Sequence, residues 1–197
     1  MTHIDSQRHS HKTVKIGFSG TAVTDFLLQQ DLDECKEVGA EVARQGAIMV
    51  TGATTGSPLW ASRGAKEAGG FAIGLSPAKS ELEHVQTYGL PLDYQDVIIY
   101  TGFGYSGRDL LFTRSTDAMI IGPGRIGTLH EFTIAFEDNK PIGIMHTEDS
   151  KTDDVIKFIL EESHRRDDNK KVFFENDPKK LVARLIEMAK ADKEGHL

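Results

Sequence analysis

The sequence predicts an α/β domain of the doubly wound, Rossmann-like type: a mostly parallel sheet with helices on both faces. Three observations predict it. Strand-like and helix-like runs alternate along the chain, the pattern of repeated βαβ units. The strand-like runs are near-continuous apolar stretches, as expected of strands covered on both faces. Glycines cluster directly after three of the strands, on the side where such sheets bind ligands.

The elements follow in order. Residues 1–11, MTHIDSQRHSH, are polar and read as a disordered tail before a single domain over residues 12–197. Val14–Ser19 (VKIGFS) is the first strand. Gln30–Arg44 has helical spacing, with Leu32, Val38, Val42 and Ala43 turned inward. Ala47–Val50 is the second strand. Pro58–Ala68 is a helix whose proline suits the first turn, and Gly69-Gly70 ends it. Phe71–Leu75 is the third strand. Ser76–Asp96 mixes a short helix, Glu81–Thr87, with loop. Val97–Tyr100 is a strand, Arg108–Thr116 a helix, and Ala118–Ile121 a strand. Thr128–Glu137 is a helix and Pro141–Met145 the sixth strand. Asp153–Arg166, Lys171–Phe174 and Pro178–Lys193 complete the series as helix, strand and helix. The last helix carries an apolar stripe of Leu181, Val182, Leu185, Ile186 and Met188, the mark of a docked surface helix.

Composition limits the function. With 39% hydrophobic and 27% charged residues, the 197-residue chain is ordinary for one globular domain. No apolar run approaches the roughly 20 residues that span a bilayer, so no membrane partner is expected. A net charge of −7 argues against non-specific nucleic-acid binding, which rests on Lys and Arg neutralising phosphates. It does not argue against one phosphate, which local amides and a cation can hold. The single cysteine, Cys35, suits a reducing compartment and a cytoplasmic location, and it reads as a packed thiol. The histidines show no i, i+4 ligand pair, so no metal site is expected.

The glycine-rich strand ends are Ser19-Gly20-Thr21, Gly52–Ser57 and Gly122–Thr128. Glycine lets a ligand approach the main chain, and a helix N-terminus offers unpaired N–H groups and partial positive charge. The third loop runs straight into a helix. Three such loops on one sheet edge point to a shared site for a phosphate-bearing small molecule. No P-loop is present. Gly122, Gly124 and Gly127 match the dinucleotide spacing but stand late in the chain, and no acidic residue suited to a ribose follows. Near the third loop stand Glu131, read as one turn into its helix, and Arg108, read as the start of another. An Arg fork suits a phosphate or a leaving group, and a carboxylate suits a general base. Each also has a plain structural role, Glu131 at a helix dipole and Arg108 in a salt bridge. His130, beside Glu131, points about 100° away, toward the pocket or a subunit interface. Tyr100, Phe103 and Tyr105 either stack on a base or pack at the mouth of the sheet.

At these residues the chain resembles the LONELY GUY (LOG) family, whose members are often labelled lysine decarboxylases. Pro123-Gly124 followed by Arg125-Ile126-Gly127-Thr128-Leu129-His130-Glu131 looks like its P-G-G-x-G-T-x-x-E motif. Gly52–Gly56 and Ala65–Gly74 look like its second loop and helix. The likeness runs from about Lys15 to Met145. It implies a Rossmann-like fold, a homodimer or larger homo-oligomer, and hydrolysis of the N-glycosidic bond of nucleoside 5′-monophosphates to base and ribose 5-phosphate. By position, Arg108 and Glu131 match the catalytic pair. Ser19, Gly20, Gly52, Gly56, Gly124, Arg125, Ile126, Gly127 and Thr128 are the expected phosphate and nucleotide contacts, with no resident cofactor. The family's relatives include molybdenum-cofactor carrier proteins, so a non-catalytic nucleotide or cofactor carrier, or a sensor, is the alternative. Two departures bear on activity. Arg125 replaces a loop glycine, and the second loop reads Gly-Ala-Thr-Thr-Gly where the family has consecutive glycines. No lysine stands in a recognisable setting for pyridoxal phosphate, so decarboxylation is not expected.

Overall fold

The computed structural model describes residues 13–146, 151–164 and 170–195. The expected N-terminal tail lies outside them, as do positions 165 and 166 of the expected sixth helix. The strands are β1 (Lys15–Ser19), β2 (Ile48–Thr51), β3 (Ala72–Ser76), β4 (Val97–Tyr100), β5 (Ala118–Ile121), β6 (Ile142–Ile144) and β7 (Val172–Phe174). The helices are α1 (Gln29–Arg44), α2 (Ser57–Glu67), α3 (Glu81–Gln86), α4 (Gly104–Ser115), α5 (Ile126–Glu137), α6 (Thr152–Glu162) and α7 (Pro178–Gly195). The sheet order is β4-β3-β2-β1-β5-β6-β7, and every pairing is parallel.

Strand alternation sorts the core into two layers. Ile16, Phe18, Met49, Ala118 and Ile120 face one way and pack with Cys35, Val38 and Val42 of α1 and Leu181, Val182 and Leu185 of α7. Val50, Met119, Ile121, Ile142 and Ile144 face the other way, against Phe112 of α4, Phe132 and Ala135 of α5, and Ile156 of α6. Neighbouring residues of β5 therefore serve opposite layers, as a period of two requires. Cys35 is fully buried, and that burial pushes its thiol pKa up, which leaves it inert core. On the first layer α1 and α2 approach closely. A Cβ on Gly39 would strike the Ala61 backbone, and one on Gly64 the Lys36 backbone.

Two expected helix starts move. Helix α4 starts at Gly104, so Arg108 sits in its second turn and not at its start. Gly102 and Gly104, both with positive φ, make the turn that allows this. Helix α5 likewise starts at Ile126, which puts Glu131 in the second turn, beyond the end where a carboxylate serves the dipole. Order reverses at β1, with β2 on one side and β5 on the other. The loops leaving β1, β2 and β5 therefore share one sheet edge at the switch point, where open α/β sheets hold ligands.

Candidate functional site

Hydrogen bonds lace the three glycine loops together. The amide of Thr21 donates to Pro123 O at 2.8 Å, and the amide of Ser57 donates to Thr21 O at 2.9 Å. The Ser57 hydroxyl reaches the same oxygen at 3.1 Å. Above them opens a cleft of about 340 Å³, within the range of small-ligand sites. Its walls are the β1–α1 turn (Ser19, Gly20, Thr21, Ala22, Val23), Gly52 and Thr54 after β2, Tyr105, Arg108 and Asp109 of α4, and Arg125, Ile126, Gly127, Thr128 and Glu131.

The sequence-predicted residues thus converge, with two exceptions. Gly56 and Gly124 stand behind the lining. Gly56 has φ +73°, and a Cβ there would strike the backbone of Thr21 and Ala22. A Cβ on Gly124 would strike the buried Thr128 side chain. Their glycines answer loop packing. The Gly124 amide is also committed: it donates to Thr152 Oγ1 at 2.9 Å, while that hydroxyl donates back to Gly124 O at 2.9 Å. Thr152, at the start of α6, therefore props the loop from below.

The amides of Ile126, Gly127 and Thr128 are different. They form the first turn of α5, where N–H groups lack intrahelical acceptors. Arg125 occupies the N-cap and supplies no side-chain cap. A Cβ on Gly127 would meet nothing within 4 Å, so the space over this turn is open. Amides and helix dipole together make this end attractive to an anion.

The floor holds a buried polar network. Ser19 Oγ donates to Glu131 Oε2. Arg108 Nη1 donates to Gly52 O and, at 3.3 Å, to Leu75 O, while its Nε reaches Asp109 Oδ1 at 3.1 Å. Asp109 Oδ2 takes His130 Nδ1 at 2.9 Å. Gly52 is therefore required for a reason other than ligand approach: a Cβ there would collide with the Arg108 guanidinium. Burial, above all, pushes the Glu131 pKa up to about 8, and the neighbouring Asp109 carboxylate adds to the rise. Arg108 and the Ser19 hydroxyl pull it down but do not win. Burial thus favours the protonated form of Glu131. Sequence reasoning missed Asp109. Its contacts run between α4 and α5, and no local spacing signals them.

Arg125 does not crowd the cleft. Its φ of −132° and ψ of −153° suit any residue, so losing the family glycine costs no strain. Its guanidinium lies 4.3 Å from the Phe26 ring centroid and 3.5 Å from Asp25 Oδ1, strapping the β1–α1 loop across the mouth. Both contacts are exposed, each worth about 1 kcal/mol or less. Arg125→Gly is expected to weaken binding of a phosphorylated ligand about fivefold, since it removes both the strap and a cation beside the anion site. Unchanged affinity in calorimetry would reduce Arg125 to a surface contact.

Among the described residues no His, Cys, Asp or Glu cluster could hold a metal ion, and no helix is long and apolar enough to cross a membrane.

Comparison with known proteins extends this picture. Residues 13–182 match the family described as LDcluster4, SLOG cluster4 family. The molybdenum cofactor binding protein of Rippkaea orientalis is 26% identical, with a TM-score of 0.70 over 93% of this chain and 99% of that one. The molybdenum cofactor carrier protein of Chlamydomonas reinhardtii is 26% identical, with a TM-score of 0.72 over 90% and 99%. An uncharacterized protein of Archaeoglobus fulgidus is 28% identical over 131 residues, 66% of this chain and 79% of that protein.

Proposed function

The chain belongs to the SLOG cluster4 family, and from that premise we propose that it holds a nucleotide-like small molecule, of the molybdenum-cofactor kind, without cleaving it. Such a ligand carries a phosphate at one end and a fused-ring heterocycle at the other. The phosphate sits on the amides of Ile126, Gly127 and Thr128, beside the Thr128 hydroxyl. Two relatives named for the molybdenum cofactor, each covered almost end to end by this chain, support the ligand class.

One observation carries the choice of holding over cleaving. Both members of the expected catalytic pair are spent on the protein. Arg108 is tied to two carbonyls and Asp109, and Glu131 keeps its proton between Ser19 and Asp109. A protonated Glu131 cannot act as a general base or steady a positively charged ribose. The hydrolase reading rests on Arg108 and Glu131 sharing one cleft wall, and it requires Glu131 to ionise when substrate binds. Incubation with a panel of nucleoside 5′-monophosphates, assayed for ribose 5-phosphate and free base, separates the two. Binding with no release of ribose 5-phosphate between pH 6 and 7.5 is expected. Turnover that disappears in Glu131→Gln would establish the hydrolase instead. By family resemblance the protein is a homo-oligomer, with α4 and α5 as interface helices, which light scattering of the purified chain tests.

A further inference from the structure

The loop between β5 and α5 can present donors to an anion only if its own carbonyls are held elsewhere. Three successive carbonyls are each taken. Pro123 O accepts from the Thr21 amide at 2.8 Å, and Arg125 O accepts from the Leu129 amide at 3.1 Å. Between them, Gly124 O accepts from the Thr152 hydroxyl at 2.9 Å. The first two donors are backbone groups. The third is a side chain, and it comes from α6. The same hydroxyl accepts from the Gly124 amide at 2.9 Å, so one oxygen engages both polar groups of one glycine. Thr152 is buried and its own position is fixed. The neighbouring Asp153, also buried, accepts from Lys157 Nζ at 2.9 Å and from His146 Nδ1 at 2.7 Å, which seats the first turn of α6 against the chain leaving β6. Neither Gly124 nor Thr152 lines the cleft, so the clamped peptide faces α6 and not the ligand.

We infer that Thr152 sets the specificity of the site for a charged phosphate over a neutral group, by keeping the Gly124 carbonyl turned away from the first turn of α5. This rests on the proposed anion site at that turn. Thr152 is a positioning residue in this arrangement: it touches the loop and not the ligand. Without its hydroxyl, the Gly124 peptide is free to rotate, and a glycine resists rotation least of all residues. Its carbonyl oxygen would then compete with the amides of Ile126, Gly127 and Thr128 for the same space. A carbonyl dipole repels a phosphate and accepts a hydrogen bond from a neutral hydroxyl. The loop would lose its preference for charge while keeping its place in the fold.

The test compares guanosine 5′-monophosphate with guanosine, which keeps the ring and sugar and lacks the phosphate, by calorimetry on the full chain well below its melting temperature. The wild type is expected to prefer the nucleotide at least about tenfold, the scale of hydrogen bonds to a charged group. Thr152→Val, which keeps the shape and removes the hydroxyl, should cut that preference about fivefold and leave guanosine affinity unchanged, the scale of one neutral hydrogen bond. Thr152→Ala should match it. Thr152→Ser, which keeps the hydroxyl, should restore the wild-type preference. A full preference in Thr152→Val and Thr152→Ala would overturn the role of Thr152 and leave the anion site standing. So would variants that weaken both ligands alike, or a Thr152→Ser variant no better than Thr152→Val. If the wild type itself shows no preference for the nucleotide, the anion site and the role of Thr152 fall together.

Discussion

Arg108→Ala is expected to destabilise the protein by about 3–5 kcal/mol, the cost of removing one partner from a buried ionic network. Arg108 is 5% exposed, and its guanidinium serves Gly52 O, Leu75 O and Asp109 at once. Without it, two buried carbonyls lose a donor, and Asp109 loses the positive charge that sits beside it. For a chain of this size the melting temperature should fall by about 10 °C or more. Arg108→Lys should recover only part of the loss, because an ammonium cannot span a carbonyl and a carboxylate in the plane of the guanidinium fork. A drop of about 1 kcal/mol or less in denaturant unfolding would mean that Arg108 is free to turn toward a ligand, and the case for a spent catalytic pair would fail.

Glu131→Gln is expected to do the opposite. The Glu131 carboxyl is raised to about 8 in the folded protein by burial and by Asp109, while in the unfolded chain it ionises in the ordinary carboxylate range. Between those values the folded state binds more protons than the unfolded state, so stability falls as pH rises. The contribution is complete at low pH and is lost on approaching pH 8. Glutamine mimics the protonated acid: its oxygen can accept from Ser19 and its amide can donate to Asp109. The variant should therefore match the wild type near pH 5 and exceed it by about 2–4 kcal/mol at pH 8, from the free-energy equivalent of the shift. A gap that does not widen with pH would show that Glu131 is already ionised at neutrality. A gain in stability at a pocket carboxylate would also fit the usual trade between function and stability.

Much of this molecule was legible in the chain. Val97–Tyr100 and Ala118–Ile121 read as strands to the residue because apolar β-branched runs between polar turns have few alternatives. The shared edge of the three glycine loops followed from parallel connectivity alone. The start of α4 was not legible, because Gly102-Phe103-Gly104 reads as loop until its positive φ values are seen to deliver the chain into a helix. The packing roles of Gly56 and Gly124 were hidden for a related reason. A glycine required by a neighbouring backbone or side chain looks, in sequence, the same as one required by a ligand. Asp109 and Thr152 were invisible because their partners, His130 and Gly124, lie on other elements more than 20 positions away. The carboxyl pair and the prop under the phosphate loop are tertiary facts.

We propose above all that an anionic ligand docks on the first turn of α5. Amide NMR of the uniformly labelled protein tests it most directly, by titration with a nucleoside 5′-monophosphate. The backbone amides of Ile126, Gly127 and Thr128 are expected to shift first and most, while the Gly124 amide, already bonded to Thr152, moves little. Shifts confined to other surfaces, with those three amides unmoved at saturation, would contradict it.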